Sequence, residues 1–334
     1  MISFNYILLL FILINLFFII NFNKLSFLHY ILDKPDKKRK LHLSPVPLAG
    51  GIILITNILI YFLIINLNEE YLVNEIFFNN KFELYVFFSS AVIIFFIGLI
   101  DDKYNLSPNL KFLLLSIILS LVLIYDKNLV LSSITISFLD ETINLNRYSL
   151  FFSCFCFLVF LNAFNMFDGI NVQASSYSII IFSFILILYS DSFLVKILLI
   201  YLIGYSFLNY KEKSFLGDSG SLLIAFMMGY LFIKLYNLEI IKYADEVFIF
   251  MIIPGLDLIR LFFKRILNKK NPLRPDRFHL HHLLRLKFTN IKSILIINIM
   301  IIAPLILFYI DVNKLFIILF TIFTYSLTIY NLEK

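Results

Sequence analysis

Long apolar runs alternate with short polar stretches along the whole chain. They lie roughly at 3–22, 47–66, 84–100, 110–125, 148–166, 174–190, 193–210, 219–236, 246–263, 293–310 and 315–331. Most approach the ~20 residues a helix needs to cross the hydrocarbon core of a bilayer. A segment in lipid must satisfy its own backbone groups, so each run predicts a helix. The pattern predicts about eleven transmembrane helices, or about ten if the runs either side of Ser190, Asp191 and Ser192 are counted together. Between two of the runs, Ser132 to Phe138 alternates polar with β-branched residues before Asp140 and Glu141, which predicts a short β-hairpin. The fold class expected is an all-α polytopic membrane protein, with residues 1–334 as one integral membrane domain. No soluble domain, low-complexity linker or internal repeat is evident.

Composition agrees. Of the 334 residues, 61% are hydrophobic and 15% charged. A soluble domain carries about 25% charged residues, so there is too little polar surface here to coat a water-soluble globule. No Lys or Arg precedes the first apolar run and no small-residue cleavage site follows it, so it reads as a retained helix rather than a signal peptide. Cys154 and Cys156, two apart in an apolar run, fall on different sides of one helix and form neither a disulfide nor a metal pair.

Basic residues orient the spans. Loops after the odd-numbered runs carry Lys24, Lys34, Lys37, Lys38, Arg39, Lys40, Lys103, Lys211, Lys213 and the Lys264 to Lys287 group; the opposite loops carry only Lys81, Lys127, Arg147, Lys242 and Lys314. The positive-inside rule then predicts an outside N-terminus, a cytoplasmic C-terminus and a hairpin on the outer face.

On this topology the chemistry-bearing residues converge on the cytoplasmic face. Asp101 and Asp102 end the third run; Asn162, Asn165 and Asp168 end the fifth, each three residues apart and so on one helix face; Gly217, Asp218 and Gly220 open the eighth. Asp257 and Arg260 lie in the ninth, above a loop with Arg277, His279, His281 and His282, and His42 follows Arg39 and Lys40 in the first cytoplasmic loop. An acidic residue at helix-centre depth costs about 2.5–3.5 kcal/mol to insert, so Asp257 is expected to face the bundle interior with Arg260 as partner.

Each feature alone has a purely structural reading. Asp101 and Asp102 would serve as helix ends, the Asn162 set as interhelical glue, Asp218 or Ser219 as an N-cap, Asp257 with Arg260 as a buried pair, and the Lys37–Lys40 run as an anchor on anionic lipid. The three histidines would suit zinc, although their Arg and Lys neighbours suit an anion better. Together, separated carboxylates and a basic, His-rich loop on one face describe a site for a divalent metal and phosphate, since Mg²⁺ binds through one or two carboxylates plus substrate phosphates.

From about Asp33 to Leu284 the chain resembles the polyprenyl-phosphate N-acetylhexosamine-1-phosphate transferases of glycosyltransferase family 4. The resemblance rests on six motifs in order: Arg39-Lys40-Leu41-His42 with Pro45 and Gly50-Gly51; Asp101-Asp102 with Lys111; Asn162 to Gly169; Phe215 to Ser221; Pro254 to Asp257; and Asp276-Arg277 with His279, His281 and His282. It implies that a lipid phosphate attacks the β-phosphorus of a UDP-sugar, releasing UMP. By similarity, Asp218 and Asn165 hold Mg²⁺, with Mn²⁺ as a substitute. Phe215 stacks on uracil with Asn171 nearby, Asn162 is a further substrate-binding residue, Lys111 meets a phosphate, and Arg277 with His279, His281 and His282 covers the sugar-phosphate end. Asp101, Asp102 and Asp168 are the catalytic carboxylates, Asp101 or Asp102 acting as base or nucleophile or else orienting the acceptor or helping to hold the metal, with His42, Asp257 and Arg260 as further candidates.

The partners implied are a UDP-sugar, a polyprenyl phosphate, the lipid bilayer of a bacterial inner membrane and a second copy in a homodimer; no nucleic acid is expected. The His-x-His-His pattern resembles the enzymes that start O-antigen or teichoic acid polymers. The muramoyl-pentapeptide branch usually has three adjacent histidines and a second Asp-Gly, where this chain reads Asn171-Val172. That branch is the alternative within the family, and a transporter or lipid flippase is the alternative outside it.

Overall fold

The computed structural model describes residues 4–35, 44–73, 75–139, 141–269, 271 and 277–334. The protein is an all-α polytopic membrane protein. Its helices are α1 (Phe4–Asn21), α2 (Gly50–Leu67), α3 (Glu69–Val73), α4 (Lys81–Tyr104), α5 (Pro108–Tyr125), α6 (Ser149–Phe167), α7 (Gln173–Leu188), α8 (Phe193–Tyr210), α9 (Gly217–Asn237), α10 (Ala244–Leu267), α11 (Leu280–Lys287), α12 (Asn290–Tyr309) and α13 (Lys314–Glu333). Two antiparallel ribbons accompany them, β1 (Leu32–Asp33) with β2 (Val46–Pro47), and β3 (Ser133–Thr135) with β4 (Thr142–Asn144). The second is the hairpin expected from the alternation at Ser132 to Phe138.

Every long apolar run is helical. Among the described residues, nine helices are long and apolar enough to cross a membrane. α7 has only 16 residues, about 24 Å of helix. α10 is long but carries Asp245, Glu246, Asp257, Arg260, Lys264 and Arg265. The exposed sides of α1, α5 and α13 are rich in Leu, Ile and Phe, as lipid-facing surfaces must be, whereas α9 is 94% buried along its apolar window. The histidine stretch, read from sequence as loop, is helical from Leu280 onward.

The chain forms two compact units, each discontinuous in sequence, with the divisions falling between α4 and α5 and inside α7 and α9. The first comprises 1–107 and 178–227. Here α1 packs on α8, and α2 on α4 and α8. Buried Asn15 of α1 donates to Asn57 of α2 at 2.8 Å. Glu75 is 1% exposed and accepts from Ser192 Oγ at 3.1 Å and Leu194 N at 2.9 Å, closing the N-terminus of α8. Burial pushes its carboxyl up to about 7 despite these bonds.

The second unit comprises 108–177 and 228–334. In it α5 packs on α6, α10 on α6, α12 and α13, and α11 on α12 and α13. A fully buried pair, Lys234 with Asp126 at 3.0 Å, is completed by the Tyr230 hydroxyl at 3.0 Å. The β3–β4 hairpin is fastened by Thr135 N to the Tyr236 hydroxyl and by Ser137 to Asp245.

Candidate active site

In the first unit the site is built by three chain segments that meet backbone to backbone. Leu48 bridges Phe215; Phe215 N donates to Pro47 O, Gly50 N to Phe215 O and Gly51 N to Leu216 O, all within 3.2 Å. These bonds lay the start of α9 along the start of α2. Small residues make that approach feasible. A Cβ on Gly98 of α4 would lie 2.4 Å from Ser219 Cα, and one on Gly51 2.7 Å from Gly220 N.

The two aspartates that end α4 have different surroundings. Asp101 is 7% exposed, and its Oδ1 accepts from Leu106 N at 2.7 Å, while Asn105 closes the helix in the left-handed region at φ 53°. Asp102 instead reaches across to α9. Its Oδ1 accepts from Asp218 N at 2.7 Å, and its Oδ2 from Ser219 N at 3.1 Å and Ser219 Oγ at 2.7 Å. Asp102 is thus an N-cap supplied by another helix, satisfying donors that a helix start leaves open. Gly217, at φ +72°, is needed for this turn; its Cβ would also lie 2.7 Å from Asp102 Oδ2. The result fixes the backbone that carries Asp218 and Phe215. His42 lies outside the described residues.

In the second unit, Lys111 at the start of α5 donates to Asn165 Oδ1 on α6 at 3.0 Å. Asn162 turns back on its own helix, donating to Leu158 O at 2.8 Å. Asp168 is the residue at which α6 ends, its N–H donating to Phe164 O. The following turn, Gly169 to Val172, is tightly held. A Cβ on Gly169 would lie 1.9 Å from His281 Nε2, so only glycine admits that imidazole. Val172 sits at φ +70°, a rare conformation for a β-branched residue. Gln173 next to it is 1% exposed, with neither amide atom hydrogen-bonded among the described residues.

The histidine stretch hangs from α10. Asp257 is 2% exposed and faces the interior, paired with Arg260 at 2.9 Å as expected. Its Oδ2 lies 2.7 Å from His279 Nδ1, and its Oδ1 accepts from Leu280 N at 3.1 Å. The His279 and His281 rings stack at 5.5 Å, and His282 follows at 4.3 Å. Burial, then neighbouring His282 and His279, hold the His281 imidazole well below its ordinary range, so it is neutral. Arg277 is exposed. Among the described residues no group of three or more His, Cys, Asp and Glu is disposed to hold a metal.

Each unit therefore gathers several of the residues singled out from sequence: Asp102 with Asp218 in the first, and Lys111 with Asn165, and Asp257 and Arg260 with His279, in the second. Sequence reasoning had Ser219 only as a possible N-cap, where its hydroxyl in fact donates to Asp102, and it missed Tyr325, whose hydroxyl donates to Asp257. Tyr325 had one sequence signal: it continues the buried stripe Ile317, Thr321, Tyr325, Ile329 of α13, where its hydroxyl needs a partner.

Comparison with known proteins shows a likeness over these residues. The glycosyl transferase family 4 profile matches residues 84–236, a stretch that contains Asp101, Asp102, Lys111, Asn165, Asp168 and Asp218. Over those residues the chain is similar to glycosyl transferase family 4. It is 27% identical over 281 residues to the undecaprenyl-phosphate alpha-N-acetylglucosaminyl 1-phosphate transferase of Escherichia coli (strain K12), covering 80% of this chain and 73% of that one. The protein of the same name from Salmonella typhi matches to the same extent. The probable undecaprenyl-phosphate N-acetylglucosaminyl 1-phosphate transferase of Bacillus subtilis (strain 168) is 27% identical over 274 residues, covering 79% of this chain and 73% of that protein. The matched stretch includes both the Asp102 cap and the Asp168-Gly169 turn against which His281 packs.

Proposed function

We propose that this protein transfers an N-acetylhexosamine-1-phosphate from a UDP-sugar to a polyprenyl phosphate, undecaprenyl phosphate by analogy with its relatives, and releases UMP. Residues 1–334 act as one transferase domain. The lipid-linked product would start a cell-envelope glycan, of the O-antigen or teichoic acid kind. The observation that carries the reading is the match to the E. coli and B. subtilis transferases over about four fifths of the chain. The geometry supports it: Asp218 sits in the first turn of a helix whose N-terminus is capped by a second carboxylate.

The donors fit Mg²⁺, a hard cation that takes carboxylate oxygen and completes its shell with phosphate and water; Asp218 is the carboxylate proposed for it. When bound, the ion would neutralise diphosphate charge. The chain's own residues do the rest. Phosphoryl transfer is largely positioning and charge stabilisation. Lys111, fixed by Asn165, supplies a phosphate-binding cation, and exposed Arg277 supplies another. A phosphate monoester has its second pKa near ~6, so the acceptor is largely dianionic at neutral pH and needs no strong base. One of its oxygens bonds to the β-phosphorus while the bridging P–O bond breaks toward UMP. Asp102, with both oxygens occupied, is assigned a positioning role.

A cavity of about 360 Å³ in the second unit supports a polyprenyl acceptor. Phe155, Phe160, Phe232, Phe248, Met251 and Ile259 are among its lining residues, which are almost wholly apolar. The site is assigned to the cytoplasmic face of the inner membrane, where a water-soluble nucleotide and a lipid phosphate meet. Incubating membranes with labelled UDP-N-acetylhexosamines and polyprenyl phosphate tests the reading. Lipid-linked sugar and UMP are expected; neither product from any such donor would refute it.

A further inference from the structure

The C-terminal helix carries no chemical motif, yet one of its residues is tied to the histidine segment. Tyr325 is 3% exposed. Its hydroxyl donates to Asp257 Oδ1 at 2.7 Å and accepts from Arg260 Nε at 2.9 Å. Those two partners in turn hold three successive residues. Arg260 Nη2 donates to Phe278 O, His279 Nδ1 meets Asp257 Oδ2 at 2.7 Å, and Leu280 N donates to Asp257 Oδ1 at 3.1 Å. Arg265 Nη2 lies 3.4 Å from His279 Nε2. Since an arginine can only donate, that contact makes Nε2 the acceptor and puts the ring proton on Nδ1, aimed at Asp257.

Directly beyond this anchor, the His281 ring packs on Gly169, beside Asp168, and Arg277 stands directly before it. A charged cluster of this kind is a poor way to stabilise a helix bundle, because apolar side chains of similar volume usually do at least as well. What it supplies is direction: each bond has one donor and one acceptor, and together they set where residues 278–280 run.

We infer that Tyr325 is a positioning residue of the transferase, orienting the histidine segment through Asp257 and Arg260. The inference rests on the proposed sugar-1-phosphate transfer for its kinetic consequence, but not for its structural one. Tyr325→Phe removes one hydroxyl and leaves the Asp257–Arg260 pair and the ring packing in place. Arg277, His279, His281 and His282 are then less well ordered before substrate arrives.

The test uses the full-length protein in detergent or nanodiscs, comparing wild type with Tyr325→Phe, Tyr325→Leu and Tyr330→Phe. Tyr330 is exposed near the end of the same helix and serves as the control. Hydrogen exchange over 278–284 is measured beside turnover of UDP-N-acetylhexosamine and polyprenyl phosphate. For Tyr325→Phe, exchange in that peptide is expected to quicken and kcat to fall, each on the order of tenfold. KM for polyprenyl phosphate and the thermal midpoint are expected to stay near wild type, as is Tyr330→Phe in every measurement. Unchanged exchange over 278–284 in Tyr325→Phe overturns the inference. So does a defect confined to Tyr325→Leu, which would show that α13 supplies only packing. If wild type turns over no donor, the proposed reaction fails, and the exchange data still decide whether Tyr325 holds the segment.

Discussion

Replacing Asp102 by alanine removes a carboxylate that accepts from two backbone N–H groups and one hydroxyl of α9, at 2.7, 3.1 and 2.7 Å. Hydrogen bonds to a charged group contribute about 1.5–3 kcal/mol each. Water reaching the freed amides recovers part of that, so the loss expected for Asp102→Ala is about 3–5 kcal/mol, concentrated at the start of α9. Asp102→Asn keeps one oxygen for the Asp218 amide, and its new NH₂ group can donate to Ser219 Oγ, at the expense of the Ser219 amide. Its loss should be about half as large, roughly 1.5–2.5 kcal/mol. The assay is a thermal midpoint with hydrogen exchange over 215–222, measured beside turnover of labelled UDP-N-acetylhexosamine. In the alanine variant all three should fall together, because the Asp218 backbone loses its anchor; the asparagine variant should lie between. If Asp102→Ala abolished turnover while midpoint and local exchange stayed at wild-type values, the carboxylate would act on substrate directly and the positioning argument would be wrong.

Gly169→Ala places a methyl 1.9 Å from His281 Nε2; overpacking of about 1–3 kcal/mol and a fall in turnover of at least tenfold are expected, and wild-type kinetics would show that the imidazole moves aside freely. For Glu75, the folded carboxyl ionises at about 7 against an ordinary 4.5. Stability from this group is therefore complete below pH 4.5 and declines as pH rises to about 7, by on the order of 3 kcal/mol. Glu75→Gln should flatten the midpoint between pH 5 and 8, and an unchanged slope would remove Glu75 as its source. Chelation with EDTA should abolish transfer, and Mg²⁺ or Mn²⁺ should restore it; activity persisting in EDTA would take the metal out of the reaction.

Several structural features were legible in the residues themselves. Apolar runs located the helices because a lipid-embedded backbone has no other way to bond its own groups. The alternation at Ser132 to Phe138 located the hairpin, and the depth of Asp257 in an apolar run required a partner, which Arg260 supplies at i+3. These are local rules, and they work without knowing what packs on what. α11 escaped them because eight residues with two histidines and two basic side chains make no apolar run.

The motifs by themselves named Asp101 and Asp102 as one pair with one role. Only the tertiary structure separated them, turning Asp101 to the end of its own helix and Asp102 to a helix more than a hundred residues further on. Tyr325 likewise acquires meaning only beside Asp257, 68 positions away. The physical reason is common to both cases. A side chain's chemistry is written in its identity, but which donors surround it depends on close approaches between distant segments. Those approaches are set by small residues such as Gly51, Gly98 and Gly217, whose missing Cβ atoms show no partner until the chain has folded.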